Sequence, residues 1–167
     1  MTQHTHITHP FPPVFDENSR VLILGSFPSV KSREVSFYYG NPQNRFWRVL
    51  AALFGGDVPS TVEEKRAFLL ANRIALWDVI ASCDIVGSDD SSIKNALPND
   101  VKSLVAKTRI ERVFTNGGTA HRLYRAHLER EVGIEAVALP STSPANASYS
   151  LMRLVEAWRA AGVGESK

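Results

Sequence analysis

Short continuous apolar runs alternate along this chain with longer segments of helical spacing. Arg20 to Gly25 (RVLILG) is an apolar run stopped by glycine, the pattern of a strand buried on both faces. In Arg45 to Phe54, the residues Phe46, Trp47, Leu50, Leu53 and Phe54 recur at helical spacing before Gly55 and Gly56, which predicts a helix. Thr61 with Glu64 forms a capping-box pattern opening a second helix through about Asn72. Ile74 to Ile80 (IALWDVI) reads as the next strand, and the polar stretch Ser82 to Asn95 after it is too long for an ordinary connection and is expected to be functional. Asn99 or Asp100 is placed to cap a further helix. Arg112 to Asn116 (RVFTN) predicts a third strand, running through Gly117 and Gly118 into a helix ending near Gly133, and Glu135 to Pro140 a fourth. After Ser141 to Ser148 a last amphipathic helix, Tyr149 to Ala161, carries Leu151, Leu154, Val155 and Trp158 on one face.

Repeated strand and helix units imply an α/β fold, a three-layer α/β/α sandwich around a mostly parallel sheet of about four strands. The 167 residues suit a single domain spanning 1–167, with 1–19 and 163–167 expected as flexible tails. In such sheets ligands bind at the carboxyl ends of the strands. Those ends are Ser26 to Ser36 with the segment after it, Ser82 to Asn95, Asn116 to Thr119 and Ser141 to Ser148, all rich in hydroxyls, amides or glycine.

Composition narrows the chemistry. No apolar run approaches the roughly 18 residues of a membrane span, and Met1 to Arg20 lacks the features of a secretory signal, so a cytoplasmic location is expected. Cys83 is the only cysteine, which excludes an intrachain disulfide and a cysteine-ligated cluster. His4, His6 and His9 fall in the expected N-terminal tail and receive no role, and no metal or cofactor site is expected. A net charge of +2 does not by itself mark a nucleic-acid binder. Locally, Lys31, Arg33, Arg45 and Arg48 flank one segment with Glu34 opposing them, an arrangement that steers a polyanion or simply forms a solvated rim.

That segment is Phe37 to Trp47 (FYYGNPQNRFW), with five aromatic rings beside Asn41, Gln43 and Asn44. Rings stack on a flat heterocycle and amides read its edges; the plainer reading makes Tyr39 and Phe46 core, Asn44 the N-cap of the following helix, and Asn116 a turn residue before Gly-Gly. Gly25 to Ser32 (GSFPSVKS) nearly matches a phosphate-binding P-loop, but Val30 stands where the second glycine belongs and Pro28 removes an amide donor. No GxSxG elbow is present, and His121 and His127 do not share a helix face and read as surface residues.

Taken in order, GSFPS at Gly25 to Ser29, FYYGNPQNRFW, TNGG at Thr115 to Gly118 and LPSTSPANAS at Leu139 to Ser148 resemble the motifs of the uracil-DNA glycosylase superfamily. Within it the chain is most similar to the hypoxanthine-DNA glycosylases, whose YYxxPxNxFW segment follows a GSFP turn. The resemblance covers most of the chain and implies a repair enzyme that flips a deaminated base out of single- or double-stranded DNA and hydrolyses its N-glycosidic bond.

It further implies a catalytic role for Asn44, base contacts from Phe27, Tyr39 and Asn116, and DNA contacts from Ser26, Ser29, Lys31, Arg45, Gly117, Gly118, Ser141, Ser143 and Asn146. Apolar Phe27 and Leu139 stand where uracil-removing relatives carry water-handling and histidine residues, which shifts the expected substrate towards hypoxanthine. Reading that base takes a donor for O6 and an acceptor for N1–H, and the single carboxamide of Asn116 is expected to supply both. The implied enzyme is a monomer that works without cofactor and without strand cleavage, Lys94 being the nearest amine to consider. The residue that wedges into the duplex is expected in Ser141 to Ser148. The rivals are a P-loop-like nucleotide-binding enzyme and a non-catalytic DNA-binding domain.

Overall fold

The fold is described from a computed structural model, which describes residues 3–165. Four parallel strands form the central sheet in the order β3-β2-β6-β7, with β2 Val21–Gly25, β3 Ile74–Asp78, β6 Arg112–Asn116 and β7 Ala136–Leu139. The apolar run of β2 is buried on both faces. Ile23 packs with Leu76, Phe114 and Leu139 into one core, while Leu22 and Leu24 pack with Ala75 and Val113 into the other. The first core is completed by α2 (Phe46–Phe54), α3 (Val62–Ala71) and α7 (Leu151–Ala160), through Leu50, Leu69, Leu154 and Trp158. The second draws on α4 (Val101–Ala106), α5 (Gly118–His127) and the short α6 (Glu129–Val132) that follows it, with Val101, Leu104, Leu123 and Tyr124 inside. This is the expected three-layer α/β/α arrangement.

Local signals set the helix starts. Thr61 and Glu64 make both halves of the capping box of α3, and Asp100 accepts from Ser103 N at 3.2 Å to open α4. The six-residue α1 (Val30–Val35) is capped by Ser29, whose Oγ accepts from Ser32 N at 3.2 Å.

A second, antiparallel sheet, unannounced by the sequence, is ordered β1-β4-β5, from β1 Thr5–Thr8, β4 Ile80–Val86 and β5 Asp89–Pro98. It corrects two expectations. Ser82 to Asn95 is a hairpin, not a loop, and only Ser88 in its turn with Asp89 and Asp90 at the start of β5 reach the strand-end cavity. Of the expected tail 1–19, the described residues 3–19 are not loose: β1 pairs with β4 from Thr5↔Ile85 to Thr8↔Ser82, Val14 bridges to Leu76, and Phe11 and Val14 lie in the core. At the other end Val163 is buried, while residues 1–2 and 166–167 lie outside the described residues. The histidines share in this order: His6 Nδ1 meets Asp84 at 2.8 Å, His4 Nε2 meets the Ser92 carbonyl at 2.7 Å, and half-buried His121 bonds Thr115 Oγ1 at 2.8 Å.

Candidate active site

A cavity of about 650 Å³ opens at the carboxyl ends of the parallel strands, bounded by the loop after β2, the Tyr38 to Asn44 segment, the β4–β5 turn, Asn116 and the Ser141 to Asn146 loop. The aromatic segment is divided between core and cavity. Phe37, Phe46 and Trp47 are buried in the core, Phe37 stacking on Trp47 at 6.2 Å, while Tyr38 and Tyr39 line the cavity. Tyr39 reaches it from a left-handed backbone (φ 52°), its ring stacked on Phe46 at 4.0 Å. Phe27 also lines the cavity, under the Arg33 guanidinium.

One fully buried threonine links the two asparagines. Asn116 Nδ2 donates to Thr142 Oγ1 at 3.0 Å, Thr142 N donates to Asn116 Oδ1 at 3.1 Å, and Thr142 Oγ1 donates to Asn44 Oδ1 at 2.8 Å. Asn44 Oδ1 also accepts the Phe46 amide at 2.9 Å, so Asn44 helps to start α2 from one residue before the N-cap position, which Arg45 occupies without a side-chain bond. The carbonyl end of Asn44 therefore holds two donors. Its Nδ2 makes no hydrogen bond among the described residues and belongs to a side chain lining the cavity.

Arg45, expected among the DNA contacts, is half-buried and turned towards the last loop. Its guanidinium donates to the carbonyls of Thr142 (3.4 Å), Ser143 (2.8 Å), Asn146 (3.1 Å) and Tyr149, and so holds the last loop against the start of α2. Within that loop Ser141 Oγ accepts from Ser143 N, Ser143 Oγ accepts from Ala145 N, and Asn146 Nδ2 donates to the Ser141 carbonyl. Gly117 (φ 102°) lies so close to this loop that a Cβ on it would sit 3.2 Å from Ser141 Cβ, whereas Gly118 faces open space. Lys31 is exposed and pairs loosely with Glu34. Ser26 Oγ is committed to Asp90 and Ser29 Oγ to the α1 cap.

The loop after β2 is not a phosphate cradle. Ser88 Oγ takes the Val30 amide at 2.9 Å, and Ser29 accepts the amides of Ser32 and Arg33 through its side chain and carbonyl. The donors a P-loop would aim at phosphate are used inside the protein.

Acidic residues that the sequence reading passed over complete the site. Asp78, at the end of β3, accepts from His9 Nε2 at 2.8 Å, and each of the two side chains is only 5% exposed. Its other oxygen presses on the turn: a Cβ on Gly25 would sit 2.4 Å from Asp78 Oδ1 and 2.9 Å from Tyr39 Oη. Burial holds the Tyr39 hydroxyl well above the usual phenol range, the Asp78 carboxylate adding to this. The Asn116 carboxamide opposes it, approaching without the geometry of a full hydrogen bond. Asp90 sits at the exposed start of β5, yet its carboxylate lies in the cavity wall; desolvation raises its pKa against the lowering effect of the Ser26 hydroxyl. Among the described residues no lysine lines this cavity, and Lys94 is exposed on β5.

A parallel-sheet sandwich with small-residue loops converging on one polar, ring-lined cavity is a frame for binding a base and the phosphates beside it. The chain belongs to the Uracil DNA glycosylase superfamily, whose family model matches residues 12–162. It is 41% identical over 154 residues to a hypoxanthine DNA glycosylase of Methanosarcina acetivorans, covering 90% of this chain and 94% of that one. A protein of the same name from Methanosarcina barkeri is 37% identical over 137 residues, covering 81% and 86%. In fold it matches a solution NMR structure from Methanosarcina acetivorans, provisionally named a uracil DNA glycosylase, with TM-score 0.81, 36% identity and coverage of 97% and 100%.

Proposed function

We propose that this chain is a DNA repair glycosylase that removes hypoxanthine from DNA and leaves an abasic site. The observation that carries the reading is the Asn44 carboxamide, fixed at the cavity with its carbonyl bound and its amide hydrogens uncommitted. The two relatives named hypoxanthine DNA glycosylase support the choice of base.

In this reading the flipped nucleotide enters the cavity with its base against Phe27 and Tyr39 and near Asn116, and the adjoining phosphates meet Lys31, the backbone at Gly117 and Gly118, and the Ser141 to Asn146 loop. The C1′–N9 bond breaks with its electron pair moving into the purine, and a water oxygen bonds to C1′ as the base takes a proton. Because two donors already occupy Asn44 Oδ1, the residue acts through Nδ2, donating towards the negative charge that develops on the departing base rather than drawing a proton from water. Arg45 contributes by holding the loop. That no lysine among the described residues lines the cavity supports hydrolysis without strand cleavage.

The test incubates the protein with single- and double-stranded DNA carrying one hypoxanthine, uracil, xanthine or undamaged base, followed by alkaline cleavage at abasic sites. Cleavage is expected foremost at hypoxanthine; none on any damaged strand refutes the proposal and favours a DNA-binding domain without activity. Asn44→Ala is expected to slow release by on the order of 10²-fold, about 2.7 kcal/mol of barrier. The lost acceptor held both the Phe46 amide and the Thr142 hydroxyl, so its removal costs about 1–3 kcal/mol, less than the stability of a typical domain, and the variant folds.

A further inference from the structure

A lactam purine such as hypoxanthine offers a donor at N1, where adenine offers a lone pair, so selection between them rests on an acceptor at that point of the pocket. The carboxamide oxygens are poorly placed for the task. Asn44 Oδ1 already accepts two hydrogen bonds and Asn116 Oδ1 is tied to the Thr142 amide. Both carboxylate oxygens of Asp90 face the Ser26 hydroxyl. Asp78 differs from these. Its Oδ2 is held by His9 at 2.8 Å, its Oδ1 makes no hydrogen bond among the described residues, and the residue lines the cavity while being 3% exposed.

We propose that Asp78, held in place by His9, is the specificity-determining residue that accepts the N1–H of a lactam purine. The inference rests on the glycosylase reading above and adds to it the contact by which the base is chosen. A buried carboxylate is costly to desolvate unless its oxygens are matched by donors. His9 supplies one donor to Asp78, and an N1–H supplies the second as a charge-assisted bond. A purine whose N1 is a bare lone pair meets the carboxylate acceptor to acceptor and is rejected. His9 is a positioning residue here. It reaches Asp78 from the segment following β1, and its buried Nδ1 has no partner of its own, so its observed polar contact is the one that orients Asp78.

Asp78→Asn is the direct test, because the amide keeps the size of the carboxylate and can turn its NH2 towards the base. Single-turnover release of hypoxanthine is compared with that of unsubstituted purine, which lacks both O6 and N1–H, in otherwise identical duplexes. The variant is expected to lose about 10- to 100-fold on hypoxanthine, the worth of one hydrogen bond to a charged group, and the preference for hypoxanthine over purine is expected to fall by a similar factor. Equal losses on both bases, or no loss on hypoxanthine, overturn the inference. Should the variant fail to fold, the wild-type protein alone decides. A duplex carrying 1-deazahypoxanthine, with C–H in place of N1–H, is expected to be processed at least about 10-fold more slowly than hypoxanthine, and equal rates overturn the inference. A wild-type protein inert on hypoxanthine refutes the glycosylase reading and this inference with it. A wild-type protein active on hypoxanthine whose Asp78→Asn form keeps its preference refutes this inference alone.

Discussion

Replacing Thr142 by valine removes one hydroxyl from the centre of the site with almost no change in shape. That hydroxyl accepts from Asn116 Nδ2 at 3.0 Å and donates to Asn44 Oδ1 at 2.8 Å, so two hydrogen bonds disappear together. The backbone pair from Thr142 N to Asn116 Oδ1 and the Phe46 amide on Asn44 both remain. Asn116 lines the cavity, so water replaces its lost acceptor, and the loss of stability is set by two exchanged bonds, about 1–2 kcal/mol. For a chain of this size that is a drop in Tm of roughly 3–6 °C. Catalysis is expected to suffer more. Asn44 keeps one of its two tethers, and a displacement near 1 Å at a catalytic group costs on the order of 10²-fold. The assay pairs thermal unfolding by circular dichroism with single-turnover hypoxanthine release, in Thr142→Val and in Thr142→Ser, which keeps the hydroxyl. The expected pattern is a folded valine variant slowed by about 10- to 100-fold and a serine variant near wild type. A valine variant within about 3-fold of wild type would show that the threonine does not hold Asn44 for catalysis.

Two further outcomes are expected. Gly25→Ala puts a methyl 2.4 Å from Asp78 Oδ1 and 2.9 Å from Tyr39 Oη, so the carboxylate or the ring must shift; hypoxanthine release should fall by at least about 10-fold, and unchanged activity would contradict the close packing of this floor. Asp90→Asn should raise Tm at neutral pH. The folded state raises the Asp90 pKa, so it disfavours the ionised form; the resulting penalty is absent at pH values below the ordinary carboxylate range near 3.9 and grows as pH rises through the raised value. The gain in Tm should therefore shrink to nothing on acidification from pH 7 to about 3.5, and a gain independent of pH would remove the electrostatic cause.

The central sheet is legible in the sequence because its inner strands are buried on both faces: VLILG is the continuous apolar run that such burial demands, and RVFTN holds three consecutive buried residues, Val113 to Thr115. The start of α3 is legible because its capping box lies within four consecutive residues. The antiparallel sheet is not legible in the same way: β1 is THIT and β5 is DDSSIKNALP, both largely exposed, so neither carries an apolar period. The site divides along a similar line. Asn44 and Asn116 stand in motifs and are visible as candidates. The contact of His9 with Asp78 joins residues 69 apart, and Thr142 lies between two serines that look better suited to bind phosphate. For Arg45, its charge pointed to DNA, while its guanidinium gathers four carbonyls of the last loop, three of which also accept a backbone amide.

The Arg45 clasp bears on how a lesion would be found. The loop it binds is ordered before any nucleic acid arrives, and the same guanidinium joins that loop to the helix beginning beside Asn44. Protein ordering then contributes little to the free energy of engagement, and the main variable left is the work of unstacking and unpairing the nucleotide. Encounter with a weakly paired base is thereby favoured over encounter with a well-paired one before any edge of the base is read, so the duplex itself performs the first stage of selection.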